Sequence, residues 1–575
     1  MAAQQFSPEE LVKAIAAAGQ RWSQGWLQLA TQFSSALPGL PGIPGAASPP
    51  LDGERLQAFQ KSYLEQQSRL WASMLSGKSE TVVRTEPGDR RFSAREWQDN
   101  PYFSYLKQSY LLASQLANRT AEEAALDAAS KARLQFAVRQ WTDAICPANF
   151  AATNPDALRS ALESQGESIT RGMANLLGDM RRGRISQTDE TAFEVGRNLA
   201  VTPGSVVHEN ALMQLIQYAP ATKQVGLRPL VMIPPCINKY YILDLQPENS
   251  FVRYAVEQGH TVFMVSWRNV GPEAGRYTWD DYLRLGVLEP FRVARKITRA
   301  DRVNALGFCI GGTLLGAALA VLAAKGRDLV ASVTLLTTML EFSDPGTLGV
   351  FVDEAGVRMR EASIGDGGIL PGRELAGVFS ALRSNDLIWP YVINNYLKGG
   401  EPAAFDLLYW NADGTNLPGP MYCYYLRNTY LENRLRVPGA LENCGVPVDL
   451  GAVRQPSFIY ASREDHIVPW QAAYRSLALL GGEKKFLLGA SGHIAGVINP
   501  PAHRRRSYWS AEPYPGNPEE WLASATEHQG SWWPQWAQWL EGFKGGARRA
   551  PRKAGGRGYR PIEPAPGRYV KEQAQ

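Results

Sequence analysis

The chain has 575 residues, of which 45% are hydrophobic and 20% are charged, and its formal net charge at pH 7 is +5. This composition is typical of a large globular protein, with room for an α/β domain of ordinary size and additional units around it. The positive charge is too small for this length to indicate nucleic-acid binding.

The cysteines and the apolar runs argue against several other classes of protein. Five cysteines are scattered without the close pairs that metal sites use, so we expect reduced thiols, no metal and no bound cofactor. The longest apolar run, Leu314 to Ala324, is shorter than the ~20 residues of a membrane span. The first residues lack the basic start and apolar core of a signal peptide. We therefore expect a cytoplasmic protein without a transmembrane segment.

The first part of the chain is predicted to be helical. Apolar residues recur at helical spacing over three stretches, Pro8 to Leu29, Leu56 to Leu75 and Asn100 to Leu177. We divide this part into a helical segment at 1–95, with a Pro/Gly linker at about 36–51, and a helical N-terminal domain at 96–190. Its amphipathic faces either attach the protein to a partner surface or pack against the rest of the chain.

A strand-turn-helix pattern with a cysteine at its centre follows. Val303 to Leu306 predicts a buried strand, and Thr313 to Ala324 predicts a helix. Between them lies Gly307-Phe308-Cys309-Ile310-Gly311, which fits the nucleophile elbow of an α/β-hydrolase with cysteine in the usual place of serine. The glycines allow the strand and the helix to approach each other closely. A thiol at this position forms a thioester, so acyl transfer is as plausible a function as hydrolysis.

Two later strands are predicted to end at partners for this thiol. Pro456 to Ala461 is followed by a polar turn that contains Asp465, and Lys485 to Ala490 is followed by His493. The order nucleophile, acid, histidine is that of α/β-hydrolases. We therefore predict that Cys309 is the nucleophile, Asp465 the acid and His493 the base.

Backbone donors and an alternative base complete the predicted site. The oxyanion hole needs one N–H from the residue after the nucleophile, which is Ile310, and one from the loop after an earlier strand. The strand from Leu230 to Pro235 makes Ile237 the second donor, with Cys236 as the alternative. His466 adjoins the predicted acid, but it precedes the last predicted strand and is disfavoured as the base.

The remaining organisation follows from lengths and composition. We assign 191–545 to an α/β-hydrolase domain with a cap insertion at about 341–454, because this connection far exceeds the usual length. Most aromatic side chains of the insertion are expected to pack a core, and a minority to line an acyl path or a dimer contact. Residues 546–575 form a basic tail containing Pro and Gly, which we expect to be a solvated extension. Five tryptophans before it, Trp521, Trp532, Trp533, Trp536 and Trp539, are expected to anchor a last helix on the sheet.

Four stretches together resemble class I polyhydroxyalkanoate synthases: Pro234 to Leu245, Gly307 to Thr313, Phe405 to Asn411 and Ser462 to Trp470. The resemblance extends from about Trp97 to the tail at Arg568 and is much weaker in the first 95 residues. It implies polymerisation of (R)-3-hydroxyacyl-CoA, such as 3-hydroxybutyryl-CoA, into a polyester held as a thioester on Cys309. Coenzyme A is then part of the substrate and a product. A homodimer associated with polymer granules is also implied.

The resemblance leaves several points open. His493 would take the thiol proton, but either His493 or Asp465 acts on the 3-hydroxyl that extends the chain. Arg504 and Arg505 are candidate ligands of the CoA phosphates, because guanidinium pairs with phosphate in a fork geometry. The competing enzyme class is a cysteine-dependent thioesterase, esterase or lactone hydrolase with water as acceptor. A non-enzymatic granule scaffold is the alternative from another class.

Overall fold

The computed structural model describes residues 53–86 and 88–574. The predicted helix at Pro8 to Leu29 and the linker at 36–51 therefore lie outside the described residues.

Eleven strands of the described chain form one sheet. They are β1 (Gly204–Glu209), β2 (Met213–Tyr218), β3 (Leu230–Ile233), β4 (Val262–Trp267), β5 (Val303–Phe308), β6 (Val330–Leu336), β7 (Ser457–Ser462), β8 (Lys484–Gly489), β9 (Ser507–Ser510), β10 (Thr526–Gln529) and β11 (Glu563–Pro564). Their order across the sheet is β10-β9-β8-β7-β6-β5-β3-β4-β2-β1-β11. Neighbours from β4 through β8 pair in parallel, whereas the strands at both edges are antiparallel. The predicted α/β-hydrolase fold is confirmed.

The central strands are buried along their whole length because helices cover both faces of the sheet, and most of their residues are apolar. The covering helices are Phe251–Glu257, Glu289–Thr298, Ile310–Ala324, Trp470–Arg475, His493–Val497, Pro518–Ser524 and Trp533–Glu541. A short turn at Trp279–Asp281 continues through the π-helix Tyr282–Leu288 into one of them. The helix that follows Cys309 is buried on all sides, which explains why it is apolar all round. Among the described residues, no helix is both long and apolar enough to cross a membrane.

The N-terminal helices are separate elements with their own caps. Their bounds are Gly53–Leu75, Glu96–Asp99, Pro101–Glu123, Ala128–Ala144, Pro155–Glu163 and Glu167–Arg182. Asn100, Asp127 and Asn154 each accept a hydrogen bond from the first turn of the following helix, so the predicted stretch from Asn100 to Leu177 is divided at these polar residues.

The insertion between β6 and β7, residues 337–456, is called the cap. Its α-helices are Glu354–Ile364, Gly372–Leu382, Ser384–Leu387, Trp389–Tyr391, Asp406–Ala412 and Gly419–Tyr425. It also contains the π-helices Val392–Leu397 and Leu426–Leu431, and the two-stranded sheets Ile369–Leu370 with Leu417–Pro418 and Glu442–Asn443 with Val446–Pro447. Short 3-10 helices occur along the described chain at Pro147–Asn149, Glu190–Ala192, Tyr240–Leu243, Pro272–Ala274, Gly346–Phe351, Arg434–Arg436, Leu450–Ala452, Ser476–Leu479, Pro501–His503 and Tyr569–Lys571.

The N-terminal helices pack on the cap. Asp143 accepts hydrogen bonds from the side chains of Ser384 (2.8 Å) and Asn385 (2.7 Å). Tyr396 in a cap π-helix donates to the carboxylate of Asp179 (2.7 Å), which lies on Glu167–Arg182. This part of the chain therefore contributes a helical layer over the cap, as the packing interpretation expected.

The residues after Gly545 differ from the solvated extension that their composition predicts. Ala547–Arg549 pairs with a short strand at Gln224–Gly226, and β11 pairs with β1. The side chains of Arg549, Arg552 and Lys553 are exposed, but the backbone is held by these strand contacts. The composition correctly predicts exposed basic side chains. It does not predict the strand pairing, because backbone hydrogen bonds form whatever the charge of the side chains.

The C-terminal tryptophans pack in the core, as predicted for an anchoring role. Trp521, Trp532, Trp533 and Trp536 are buried, and Trp539 is half-buried. Trp536 packs on Phe251 with a centroid distance of 4.6 Å and donates its indole N–H to the hydroxyl of Thr334 (3.0 Å). The last helix is thereby fixed to the sheet.

We expect Trp536→Ala to lower the free energy of unfolding by about 3–5 kcal/mol, because it removes a fully buried ring and leaves a cavity. The shift of the urea midpoint measures this loss. Trp539→Ala is the matched control and should cost clearly less. Equal losses in the two variants would contradict the anchoring role.

Candidate active site

The candidate nucleophile lies in a strained turn between β5 and the helix Ile310–Ala324. The backbone of Cys309 has φ 54° and ψ −128°, a conformation that residues other than glycine rarely adopt. A Cβ on Gly307 would overlap the backbone of Gly312, and one on Gly311 would overlap the carbonyl of Ile233. The glycines are thus required by close backbone approach, and the turn leaves the thiol partly exposed at the start of a helix.

The predicted acid and base meet beside this turn. The carboxylate oxygen Oδ2 of Asp465 lies 2.6 Å from Nδ1 of His493, and both side chains are buried. The other carboxylate oxygen accepts the backbone N–H groups of Ile467 and Val468, each at 2.8 Å. All three predicted residues are therefore carried by turns at the carboxyl ends of parallel strands: Cys309 follows β5, Asp465 follows β7 and His493 follows β8, and β6 lies between β5 and β7.

The surroundings of His493 favour its charged form. Burial acts to lower the pKa of His493, but the charges of Asp465 and Cys309 and hydrogen bonds to both raise it to about 10. The ring also stacks on Phe308 with a centroid distance of 5.6 Å. The histidine can accept a proton from the thiol and hold it as an imidazolium.

His466 lies in different surroundings. Burial lowers the pKa of His466 to about 4, although Asp465 acts in the opposite direction. The carboxylate oxygens of Asp465 contact His493 and two backbone N–H groups, as described above, so His466 lacks the orienting partner of a general base.

A layer of aromatic side chains supports the helix that begins at His493. The hydroxyl of Tyr460 (2.7 Å) and the indole N–H of Trp532 (3.1 Å) both donate to the carbonyl of Gly496. The indole N–H of Trp533 donates to the carbonyl of Val497 (2.9 Å). The C-terminal tryptophans therefore also fix the histidine turn, a connection that the sequence does not indicate.

The predicted oxyanion donors lie on two elements next to Cys309. Ile310 is the first residue of its helix, so its N–H has no partner within that helix. Ile237 and Cys236 lie on the loop after β3, and the carbonyl of Ile237 accepts the N–H of Thr415 from the cap (2.8 Å). Burial raises the pKa of the Cys236 thiol, and the charge of Cys309 raises it further, so this loop is close to the nucleophile.

Two cap tyrosines, Tyr425 and Tyr430, lie near the thiol. Burial raises the pKa of Tyr430, and the negative charge of the Cys309 thiolate raises it further. Tyr425 packs edge-on against Tyr430 with a centroid distance of 5.5 Å, and Phe342 packs on Tyr430 at 5.1 Å. Only their position in the fold distinguishes these tyrosines from the aromatic residues that pack the core, and a role in lining an acyl path stays a prediction.

The predicted CoA ligands lie farther along the same chain segment. Arg504 and Arg505 are exposed on the loop between the 3-10 helix Pro501–His503 and β9. Their neighbour Arg506 instead donates to the carbonyl of Ile498 (3.4 Å). Phosphate binding by Arg504 and Arg505 stays a prediction.

An α/β-hydrolase fold with a thiol, a histidine and a carboxylate at the carboxyl ends of parallel strands defines a class of acyl-transferring enzymes. Residues 88–255 match the family model of the poly-beta-hydroxybutyrate polymerase (PhaC) N-terminus, and residues 229–500 match that of the alpha/beta hydrolase fold.

Curated relatives specify the family. The poly(3-hydroxyalkanoate) polymerase subunit PhaC of Cupriavidus necator is 54% identical over 96% of this chain and 94% of that protein. The subunit of the same name from Rhizobium meliloti is 41% identical over 89% and 84%, and the poly(3-hydroxyalkanoate) polymerase of Methylorubrum extorquens is 42% identical over 91% and 88%. The chain belongs to the poly(3-hydroxyalkanoate) polymerase family and is an acyltransferase.

The raised pKa of His493 makes a prediction about pH and stability. A histidine with a raised pKa in the folded state stabilises that state fully below its unfolded pKa of about 6.5, and this stabilisation is lost as the pH rises towards 10. Asp465→Asn removes the main stabilising charge. We therefore expect the stability difference between the parent chain and this variant, measured by urea unfolding, to be largest near pH 6 and to shrink towards pH 10.

Asp449→Asn is the matched control, because Asp449 accepts the N–H of Gly451 at 2.8 Å in an ordinary cap. Its effect should not follow the same trend over this pH range. A difference for Asp465→Asn that stays constant or grows with pH would contradict the assigned interaction.

Proposed function

We propose that this polymerase joins (R)-3-hydroxyacyl units from their CoA thioesters into a polyester that is carried as a thioester on Cys309. The observation that carries the proposal is a thiol at the helix start, beside the hydrogen-bonded pair of His493 and Asp465 and beneath the aromatic cap. Family membership supports the polymer as product, and these residues support a covalent route.

Acylation begins with transfer of the thiol proton to the Nε2 atom of His493. The Cys309 thiolate attacks the carbonyl carbon of the substrate thioester, and the N–H groups of Ile310 and Ile237 donate to the resulting oxyanion. The positive end of the helix dipole favours the same negative charge. Collapse of the intermediate expels the CoA thiolate, which takes the proton from His493.

Elongation needs a base for the 3-hydroxyl of another hydroxyacyl unit, which is a much weaker acid than a thiol. His493 suits this role because its Nδ1 atom is held by Asp465, so Nε2 faces the reacting atoms. The carboxylate of Asp465 already accepts hydrogen bonds at both oxygens. This arrangement favours proton transfer by His493, with Asp465 orienting the ring.

The cap favours transfer to a hydroxyl over transfer to water and a short acyl chain over a long one. Tyr425 and Phe342 are buried next to Tyr430, so aromatic side chains replace water around the thiol. Their rings are large and closely packed, so we expect the site to accept a short side chain such as that of 3-hydroxybutyrate more readily than a long one.

We expect the purified chain to release CoA from 3-hydroxybutyryl-CoA and to form insoluble polyester, with slower CoA release from the C10 analogue. Cys309→Ala should abolish both products, because no other group carries the acyl chain. Cys444→Ala is the matched control, since that thiol is half-buried at a distant turn, and should retain activity. Release of CoA with only free hydroxy acid would favour a hydrolase instead, and polymer from Cys309→Ala would exclude the covalent route.

Association with a polyester granule in the cytoplasm is the second part of the proposal. The helix Glu167–Arg182 binds the cap through Asn175, Asp179 and a close contact at Gly172. Another side of this helix exposes an apolar stripe formed by Ile169, Met173, Leu177 and Met180, each about half or more exposed. Helices usually bury their apolar side, so this inverted arrangement supports contact with an apolar surface such as the polymer.

The four side chains of the stripe each offer on the order of 100 Å² of apolar surface. Their combined area is about half of the ~800 Å² that each partner buries in a standard interface. The stripe therefore suits a polymer surface better than a dimer interface. The homodimer implied by the resemblance would use another surface.

We expect the combined substitution of Ile169, Met173, Leu177 and Met180 by serine to weaken sedimentation with amorphous poly(3-hydroxybutyrate) particles. The affinity should fall by roughly a hundredfold or more, because each of the four apolar side chains contributes about 1 kcal/mol when buried and 1.4 kcal/mol corresponds to a factor of about ten. The parent protein and the four-serine variant should both carry Cys309→Ala, so that neither is attached covalently to a polyester chain. Serine at the exposed cap residues Met359 and Val437 is the control. Unchanged sedimentation, or loss of a dimer in light scattering, would reject this surface.

A further inference from the structure

The loop that carries Ile237 is bound to the cap by several hydrogen bonds. In addition to the bond from Thr415 to Ile237, the indole N–H of Trp410 donates to the carbonyl of Lys239 (2.7 Å). The hydroxyl of Tyr241 donates to the carboxylate of Asp413 (2.9 Å). The segment 410–415 of the cap and the loop after β3 therefore form one unit.

The C-terminal segment contacts the same unit from another direction. The ammonium group of Lys239 donates to the carbonyl of Glu572 (2.5 Å). The side chain of Asn269, just after β4, donates to the carbonyl of Gln573 (2.9 Å) and accepts the N–H of Asn416 (3.0 Å). Three distant parts of the sequence thus meet beside the predicted oxyanion loop.

Lys239 is an unusual residue for this position. Its side chain is buried, with 3% exposed, and burial lowers the pKa of Lys239 although Asp413 and Glu572 act to raise it. Removing an ammonium group from water costs several kcal/mol, which partners offset only when they are well placed. An apolar side chain of the same length would pack here without that cost, so packing alone does not account for the charge.

We propose that Lys239 is a positioning residue for acyl transfer, which ties the C-terminal segment 572–573 to the oxyanion loop and so holds the N–H of Ile237 towards Cys309. The proposal rests on the proposed function, in which Ile237 donates to the oxyanion. Lys239 itself does not touch the reacting atoms. The C-terminal segment acts as a brace for the site, although its sequence contains none of the catalytic groups.

The test is Lys239→Met in the full-length chain, which keeps the length of the side chain and removes the donor. Complete loss of an oxyanion donor costs about 10²–10³ in rate, so a displaced donor should slow the single-turnover release of CoA from 3-hydroxybutyryl-CoA by roughly tenfold. KM should stay unchanged, because the lost interaction forms only in the transition state. Alkylation of Cys309 by iodoacetamide, located by mass spectrometry, should keep its rate, because alkylation creates no oxyanion.

Asn269→Ala should have the same effect, and the double variant should be no slower than the slower single variant, because both act through one brace. Lys544→Met is the matched control: this lysine donates to the carbonyl of Gln258 (2.8 Å) at the opposite end of β4, and its loss should leave CoA release unchanged.

An unchanged rate of CoA release in Lys239→Met overturns the proposal. Equal losses of CoA release and alkylation also overturn it, because they indicate a general loss of structure. A parent chain whose Cys309 is alkylated but never acylated overturns the proposed function instead, and this inference with it.

Discussion

The close approach of three backbones at the nucleophile turn is the constraint on which the site depends. Gly307 and Gly311 leave no room for a Cβ, so β5, the following helix and the end of β3 come into direct contact. This contact forces Cys309 into its left-handed conformation and brings Ile310 next to the loop that carries Ile237. The thiol, the helix start and the predicted oxyanion loop are therefore positioned by one packing requirement. Strain of this kind persists only where the surrounding structure is rigid, and here the turn lies within a fully buried sheet and helix.

Rigid support continues on the histidine side. The turn after β8 is held by Tyr460 and by two tryptophans of the last helix, which bond to successive carbonyls of the His493 helix. The same tryptophans pack on Phe251 of the helix Phe251–Glu257, which covers the sheet, so stability and the geometry of the predicted site share these side chains. A catalytic histidine must be placed precisely relative to the reacting atoms. The tryptophans that stabilise the last helix would therefore also maintain the position of His493.

The sequence predicts those parts of the site that depend on local patterns. The apolar runs Val303 to Leu306, Pro456 to Ala461 and Lys485 to Ala490 suffice to predict three strands and the turns after them, and the three predicted residues lie in those turns. The contribution of the cap could not be predicted in this way: Tyr425 and Tyr430 have the same local pattern as aromatic residues that only pack. The prediction of a solvated C-terminal extension is wrong. The exposed charges of the tail give no sign that its backbone pairs with β1. Long-range pairing of this kind depends on the partner strand, which no local window contains.

The return of the C-terminal residues to the sheet also affects the order in which the enzyme becomes complete during synthesis. The chain leaves the ribosome from its N-terminus, so Cys309 and the strands around it can fold before Glu563–Pro564 and the segment that reaches Lys239 have been made. A nascent chain therefore presents a reactive thiol before its edge strand and brace are in place. With Lys239 in its proposed role, acyl transfer by a chain that still lacks these residues is slower than by the finished chain, so the last residues to be made speed the first step of polymer growth.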